Sequence, residues 1–233
     1  MNERRICEVT VRGDYACFSR PDFKTERVTY PAMTPSAARG LLESIFWKPE
    51  FRWEVSEIVV LKPIQTMSVL RNELDSRQGS RNTPFLIEEH RQQRTSLILR
   101  DVAYVIRADV VVRQTTKDPP VKYVHQFEDR VSRGQFHHAP SLGTREFAAT
   151  FEPSTGREEP IKVDMDIGPM LFDLAFIPDM GRQELSWRGG SGEGRGTVSG
   201  YAQALFFDAR LEKGCLKIPS RLHAEKARLE GGS

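Results

Sequence analysis

Asp118-Pro119-Pro120-Val121-Lys122-Tyr123-Val124-His125-Gln126-Phe127-Glu128-Asp129-Arg130-Val131-Ser132-Arg133-Gly134 is the stretch on which the fold turns. Asp118 and the two prolines read as the cap of a helix, Val121, Val124, Phe127 and Val131 recur at helical spacing, and Gly134 stands where such a helix stops. An earlier helix is expected over residues 35–47. Thr34 supplies an N-cap, Pro35 the first helical position, and Ala38, Leu41, Leu42 and Ile45 an apolar stripe that ends before Pro49. Strand patterns surround both helices. Ile6 to Arg12 alternates with period two, Glu54 to Lys62 reads as a buried strand closed by Pro63, Ser96 to Arg100 and Tyr104 to Arg113 supply a third, and Phe147 to Phe151 a fourth. The order β-α-β-β-α-β predicts an α+β, ferredoxin-like (RRM-like) domain, with both helices on one face of a four-stranded antiparallel sheet and the other face free.

Two regions depart from that pattern. Residues 71–94 are polar and carry Arg71, Arg77, Arg81, Arg91 and Arg94 around Phe85-Leu86-Ile87, an insertion that fits either an extended hairpin or a mobile loop. Beyond residue 155 the chain turns to strands at Ile161 to Ile167, Met170 to Phe176 and Gly200 to Arg210, with a glycine-rich loop from Gly189 to Gly196. The expected organisation is a domain over 1–155 and a small β-rich appendage over 156–233.

With 233 residues, 39% of them hydrophobic and 28% charged, the chain has enough apolar material to bury a core, which excludes the disordered class, and too much charge spread along it for a membrane span. Its apolar runs fall short of the roughly 20 residues of a spanning helix. Met1-Asn2-Glu3-Arg4-Arg5 leads into an alternating strand and not into an apolar signal core. Cys7, Cys17 and Cys215 are odd in number and far apart, which suits a reducing cytoplasm better than a disulfide framework.

The net charge of +2 conceals an uneven distribution. Residues 1–145 hold 23 basic and 18 acidic side chains, whereas residues 146–194 hold 4 and 10. Of the 34 basic residues 25 are arginine, whose planar fork grips phosphate at two points and stacks on bases. A phosphate-binding face is therefore expected in the first 145 residues.

Familiar catalytic strings are missing. The glycine-rich loop lacks a Gly-Lys-Ser/Thr ending, His137-His138 has no flanking ligands at metal spacing, Asp164 and Asp166 fit a solvated strand face, and neither a Gly-x-Ser-x-Gly elbow nor a His-Glu-x-x-His helix occurs. The start of the second helix is more informative. A helix N-terminus concentrates unpaired N–H groups and positive partial charge, and Lys122 and Tyr123 fall in that first turn. An ammonium there suits a pentacoordinate phosphorane and a phenol suits a 2'-hydroxyl; the same pair also fits an ordinary exposed helix turn. His125 lies on the same helix.

Four strings carry a resemblance: Gly13-Asp14-Tyr15-Ala16-Cys17-Phe18, Pro35-Ser36-Ala37-Ala38-Arg39-Gly40, Ser44-Ile45-Phe46-Trp47-Lys48-Pro49 and Leu142-Gly143-Thr144-Arg145-Glu146-Phe147. Together they resemble the Cas-five family of the CRISPR subtype I-C (Dvulg) system, within the RAMP superfamily of ferredoxin-like domains. The resemblance implies a metal-independent endoribonuclease, needing no cofactor, that cuts the CRISPR repeat of a precursor transcript and stays on the crRNA 5' handle beside the backbone and large subunits of a prokaryotic, cytoplasmic Cascade complex. It leaves DNA binding open. The RNA's own 2'-hydroxyl would attack, leaving a 2',3'-cyclic phosphate and a 5'-hydroxyl. The family's catalytic positions fall on Phe46, Lys122 and Tyr123. The lysine is kept, a phenylalanine that cannot exchange protons occupies the first position, and tyrosine replaces histidine; Tyr123, His125, or Lys122 with geometry alone are the candidates for the chemistry. RNA contacts are expected from Arg39, Lys48, Arg130, Arg133 and Arg145, with Trp47 available for stacking. The inert Phe46 favours the alternative, a subunit that holds the handle without cutting it.

Overall fold

In the computed structural model, which describes residues 6–23, 25–75, 87–113, 116–189 and 196–231, both helices form for the reasons their sequences suggest. β1 (Ile6–Ala16) and the two-residue β2 (Arg27–Val28) precede α1 (Pro35–Ile45). β3 (Phe51–Val60), β4 (Thr66–Leu74) and β5 (Arg91–Val112) lead to α2 (Pro120–Ser132). β6 (Thr150–Pro153), β7 (Met165–Pro178), β8 (Leu185–Gly189), β9 (Gly196–Glu212) and β10 (Cys215–Lys217) end at α3 (Ser220–Leu229). The Thr34 side chain accepts from the Ala37 amide at 3.3 Å, and α1 buries Pro35, Ala38, Leu41, Leu42 and Ile45. Gly134, at φ +64°, takes the left-handed conformation that ends α2.

β6, β1, β5 and β3 lie side by side with every neighbouring pair antiparallel, the arrangement of a ferredoxin-like sheet. Val9, Val11, Val55, Ile58 and Ile106 join the helix residues in one core. Beyond residue 155 the chain continues the same sheet: β10 pairs with β3 through Glu57, Ile58 and Val59, β9 pairs with β10, and β7 with β9. No helix among the described residues is long and apolar enough to cross a membrane.

Several expectations meet a different geometry. The two segments expected at 96–100 and 104–113 form one 22-residue strand, β5. Its first part pairs with β4 and its second with β1 and β3. Asp101, at φ +51° and ion-paired to Lys62, bends the strand at the changeover. The arginine-rich insertion is a hairpin as far as it is described, since β4 pairs with Arg91–Leu99; Arg77, Arg81, Phe85 and Leu86 lie outside the described residues. The sheet face opposite the helices is not free. Ser154 and Glu158 cross it, with Glu158 accepting from the Thr10 hydroxyl at 3.1 Å and Ser154 donating to Glu8 at 3.2 Å, and Thr10 is buried beneath them. Ile161 does not begin a strand; its amide donates to the Val60 carbonyl, and β7 starts at Met165.

A polar clamp joins the two ends of the chain. The Arg39 guanidinium on α1 grips Asp173 of β7 with both arms, at 2.7 and 3.0 Å, and reaches Glu43 at 2.8 Å. Lys226 of α3 meets the same Asp173 at 2.6 Å. Only 6% of the Asp173 side chain is exposed, so its charge depends on these cations. Burial raises the Asp173 carboxyl and Arg39 and Lys226 more than reverse it, leaving its pKa below the ordinary value. The clamp's contribution is therefore complete above the unfolded carboxylate value of about 4 and fades as pH falls through the lower folded one. Asp173→Ala strands two cations and should lower unfolding free energy by about 3–5 kcal/mol in urea titrations near neutral pH. A midpoint equal to wild type would show that the clamp holds nothing.

Candidate active site

The end of α1 and the start of α2 meet through aromatic rings. Phe46 leaves the helix in extended conformation, with its amide on the Leu42 carbonyl, and its own carbonyl accepts from the Trp53 indole at 3.0 Å. Its ring stacks on Phe51 at 5.5 Å; Phe51 in turn lies 5.2 Å from Tyr123 and edge-on to Trp53, and Trp53 packs against Phe127 at 4.8 Å. Phe46, Phe51, Trp53, Tyr123 and Phe127 are each 1–2% exposed. These contacts fix the first turn of α2 against the last turn of α1.

Cations gather around this aromatic floor. Lys48 Nζ lies 5.9 Å from the ring centres of both Phe46 and Tyr123, and the Arg130 guanidinium lies 5.7 Å from Phe46 while donating to the Ile45 carbonyl at 3.3 Å. Lys122, half exposed, donates to Asp118 Oδ2 at 2.7 Å, and the Tyr123 hydroxyl reaches the same oxygen at 3.4 Å. The hydrogen bond that Lys122 donates to Asp118 raises the Lys122 pKa, and the same bond lowers that of Asp118. Glu50 also faces Lys122, and one of its carboxylate oxygens is buried without a hydrogen-bond partner.

Phe46, Lys48, Tyr123 and Arg130 thus cluster, Lys122 joins them through the Asp118 carboxylate it shares with Tyr123, and the exposed Trp47 stands between Phe46 and Lys48 in the chain. Two expectations about the α2 start change. Tyr123 faces inward, taking the buried stripe that Val121 was expected to share, because Phe51 supplies an aromatic surface there. Asp118 does not cap the helix; Pro119 is the cap residue, with no side-chain bond, and the Asp118 carboxylate serves Lys122 instead. His125 is exposed one turn beyond Lys122. Arg133 is exposed at the far end of α2 and paired with Asp129 at 2.9 Å. Arg145 is exposed on the loop before β6, where its neighbour Glu146 holds Arg27 at 3.4 Å and Arg71 at 2.7 Å. Arg39 stands apart, committed to Asp173 and Glu43.

The sequence reading missed Asp118 as a partner of the lysine, although its place four residues before Lys122 was the available signal. It also weighed His137 and His138 only as metal ligands. Their amides both donate to the Ser44 carbonyl, at 2.8 and 3.2 Å, which sets two exposed imidazoles beside the end of α1. A cavity of 630 Å³ lined by Glu159, Pro160, Lys162, Asp164 and Lys213 contains none of the expected residues. The cationic cluster is open surface, which suits a polymer more than a small molecule.

Comparison with known proteins places this geometry in context. The family model described as CRISPR-associated protein (Cas_Cas5) matches residues 7–218. A Thermus thermophilus protein named CRISPR pre-crRNA endoribonuclease Cas5d is 55% identical over 225 residues, covering 97% of this chain and 96% of its own. A protein of the same name from Mannheimia succiniciproducens is 40% identical over 186 residues, covering 70% of this chain and 82% of its own. A crystal structure of a CRISPR-associated protein shares the fold, with a TM-score of 0.61 over 93% of this chain and 92% of that one at 22% identity. With a family match that takes in α1, α2 and the sheet, and a relative aligned almost end to end, the chain belongs to the Cas5 family of CRISPR-associated proteins.

Proposed function

We propose that this protein is an endoribonuclease that cleaves CRISPR repeat RNA in precursor transcripts, without a metal ion, and then stays on the crRNA 5' handle as a subunit of a Cascade complex in the prokaryotic cytoplasm. The observation that carries the reading is the cationic surround of one aromatic floor between α1 and α2: Lys48 lies over Phe46 and Tyr123, Arg130 of the last α2 turn lies against Phe46, and Asp118 holds Lys122 beside Tyr123 at the start of α2. The endoribonuclease name of the relative at 55% identity supports it.

In this reading a phosphodiester lies against the Lys122 ammonium. The 2'-hydroxyl of the preceding nucleotide loses its proton and bonds to phosphorus, the bond from phosphorus to the 5' oxygen breaks, and that oxygen is protonated. The products are a 2',3'-cyclic phosphate and a 5'-hydroxyl. Lys122 and Lys48 neutralise charge on the phosphorane, and the fixed floor holds the attacking and leaving oxygens in line. Phe46 has no proton to exchange and Tyr123 is buried, so both shape the floor. Trp47, 52% exposed, offers a stacking face for an unpaired base, and Lys48, Arg130, Arg133 and Arg145 meet the backbone. Arg39 serves stability.

Phe46 favours a second reading, a handle-binding subunit that does not cut. One experiment separates the two. Incubated with its repeat RNA in excess EDTA, the protein should yield a product ending in a cyclic phosphate; intact, bound RNA would support the second reading. Lys122→Ala should lower the single-turnover rate by roughly 100-fold or more while RNA affinity changes little. Trp47→Ala should weaken RNA binding by about 1–3 kcal/mol in filter-binding titrations, with the melting temperature unchanged.

A further inference from the structure

We infer that Asp118 is the positioning residue of this site: its Oδ2 receives both the Lys122 ammonium and the Tyr123 hydroxyl, and so holds the ammonium in register with the floor until a phosphodiester takes the carboxylate's place. The inference rests on the reading that Lys122 acts on the scissile phosphate.

The local chain supports it. Asp118 stands directly before Pro119 and Pro120, whose fixed φ values set the path into α2, so the carboxylate has a defined position relative to the first helical turn. An aspartate in this neighbourhood ordinarily caps the helix, but no side-chain cap bond is made here. Its bonds go to two side chains on the side of α2 that carries the floor. Tyr123 is anchored by its ring packing on Phe51, so its hydroxyl is a fixed point from which Asp118, and through it Lys122, is located.

The charges around the pair say what the carboxylate does before RNA arrives. Lys48 and Lys122 face Asp118, and Glu50 and Asp118 face Lys122, so two ammonium groups are balanced by two carboxylates, with Arg130 on the far side of Phe46. A bound phosphodiester must compete with Asp118 for the Lys122 ammonium. Removing the carboxylate therefore should tighten ground-state binding while leaving the ammonium loosely placed, so KM and kcat fall together. A defect in folding would raise KM or leave it alone.

The test is single-turnover cleavage of a synthetic repeat RNA at neutral pH by wild type, Asp118→Asn, Asp118→Glu and Lys122→Ala, with RNA affinity measured alongside. Asp118 is 45% exposed, and Asp118→Asn keeps the side chain's size, so melting curves should coincide. The expected result is a roughly 10- to 100-fold slower Asp118→Asn with equal or tighter RNA binding, and a partial return of rate in Asp118→Glu. If Asp118→Asn cuts at the wild-type rate while Lys122→Ala is inactive, the positioning role is wrong and the Lys122 site stands. If Lys122→Ala cuts at the wild-type rate, the site itself is wrong and this inference falls with it.

Discussion

Phe51 lies between Phe46 and Tyr123, and the placement of the cationic site depends on that contact. Phe46 belongs to the end of α1, Phe51 to the start of β3 and Tyr123 to the first turn of α2, so two consecutive elements and a third about 70 residues further on are tied within one buried aromatic column. Large rings bury much area at little cost in rotamer freedom and pack in defined tilts, which makes the column stiff. Lys48, Arg130 and Lys122 then need no dedicated scaffold. Each leaves a residue whose neighbour is part of the column or whose side chain lies across a ring face. The inert Phe46 thus has a reason of its own: in a site that works by holding an ammonium against phosphate, the position contributes shape.

The polar clamp around Asp173 plays the corresponding part for the rest of the molecule. It links α1, β7 and α3, which also share the hydrophobic core, and it uses an arginine that sequence strings had placed at an RNA surface. A guanidinium engaged by two carboxylates has its forks filled and offers little to a phosphate. Charge near the matched motifs therefore divides into cations that hold the fold, such as Arg39, and cations left around the edge of the buried aromatic floor, such as Lys48 and Lys122.

What the sequence disclosed and what it withheld follow from range. Thr34-Pro35, Gly134, the period-two run from Ile6 and the branched residues after Tyr104 act over a few positions, and the four-strand order could be read from them. The pairing of β10 with β3 joins residues more than 150 positions apart and leaves no local period. The same holds for Arg39 and Asp173, 134 positions apart. Tyr123 was misjudged for a subtler reason: the stripes through Val121 and through Tyr123 share Val124, Phe127 and Val131, and only the presence of Phe51 decides which of the two faces the core. Asp118 before two prolines matched a helix cap so well that its use by Lys122 was invisible without coordinates.

The most direct measurement is a structure of the protein bound to a repeat RNA carrying a 2'-deoxy nucleotide at the cut, which binds and cannot react. The account predicts the scissile phosphate on the aromatic floor, with a non-bridging oxygen about 3 Å from Lys122 Nζ and Asp118 displaced from it. RNA seated elsewhere, with the Lys122–Asp118 pair intact, would contradict it.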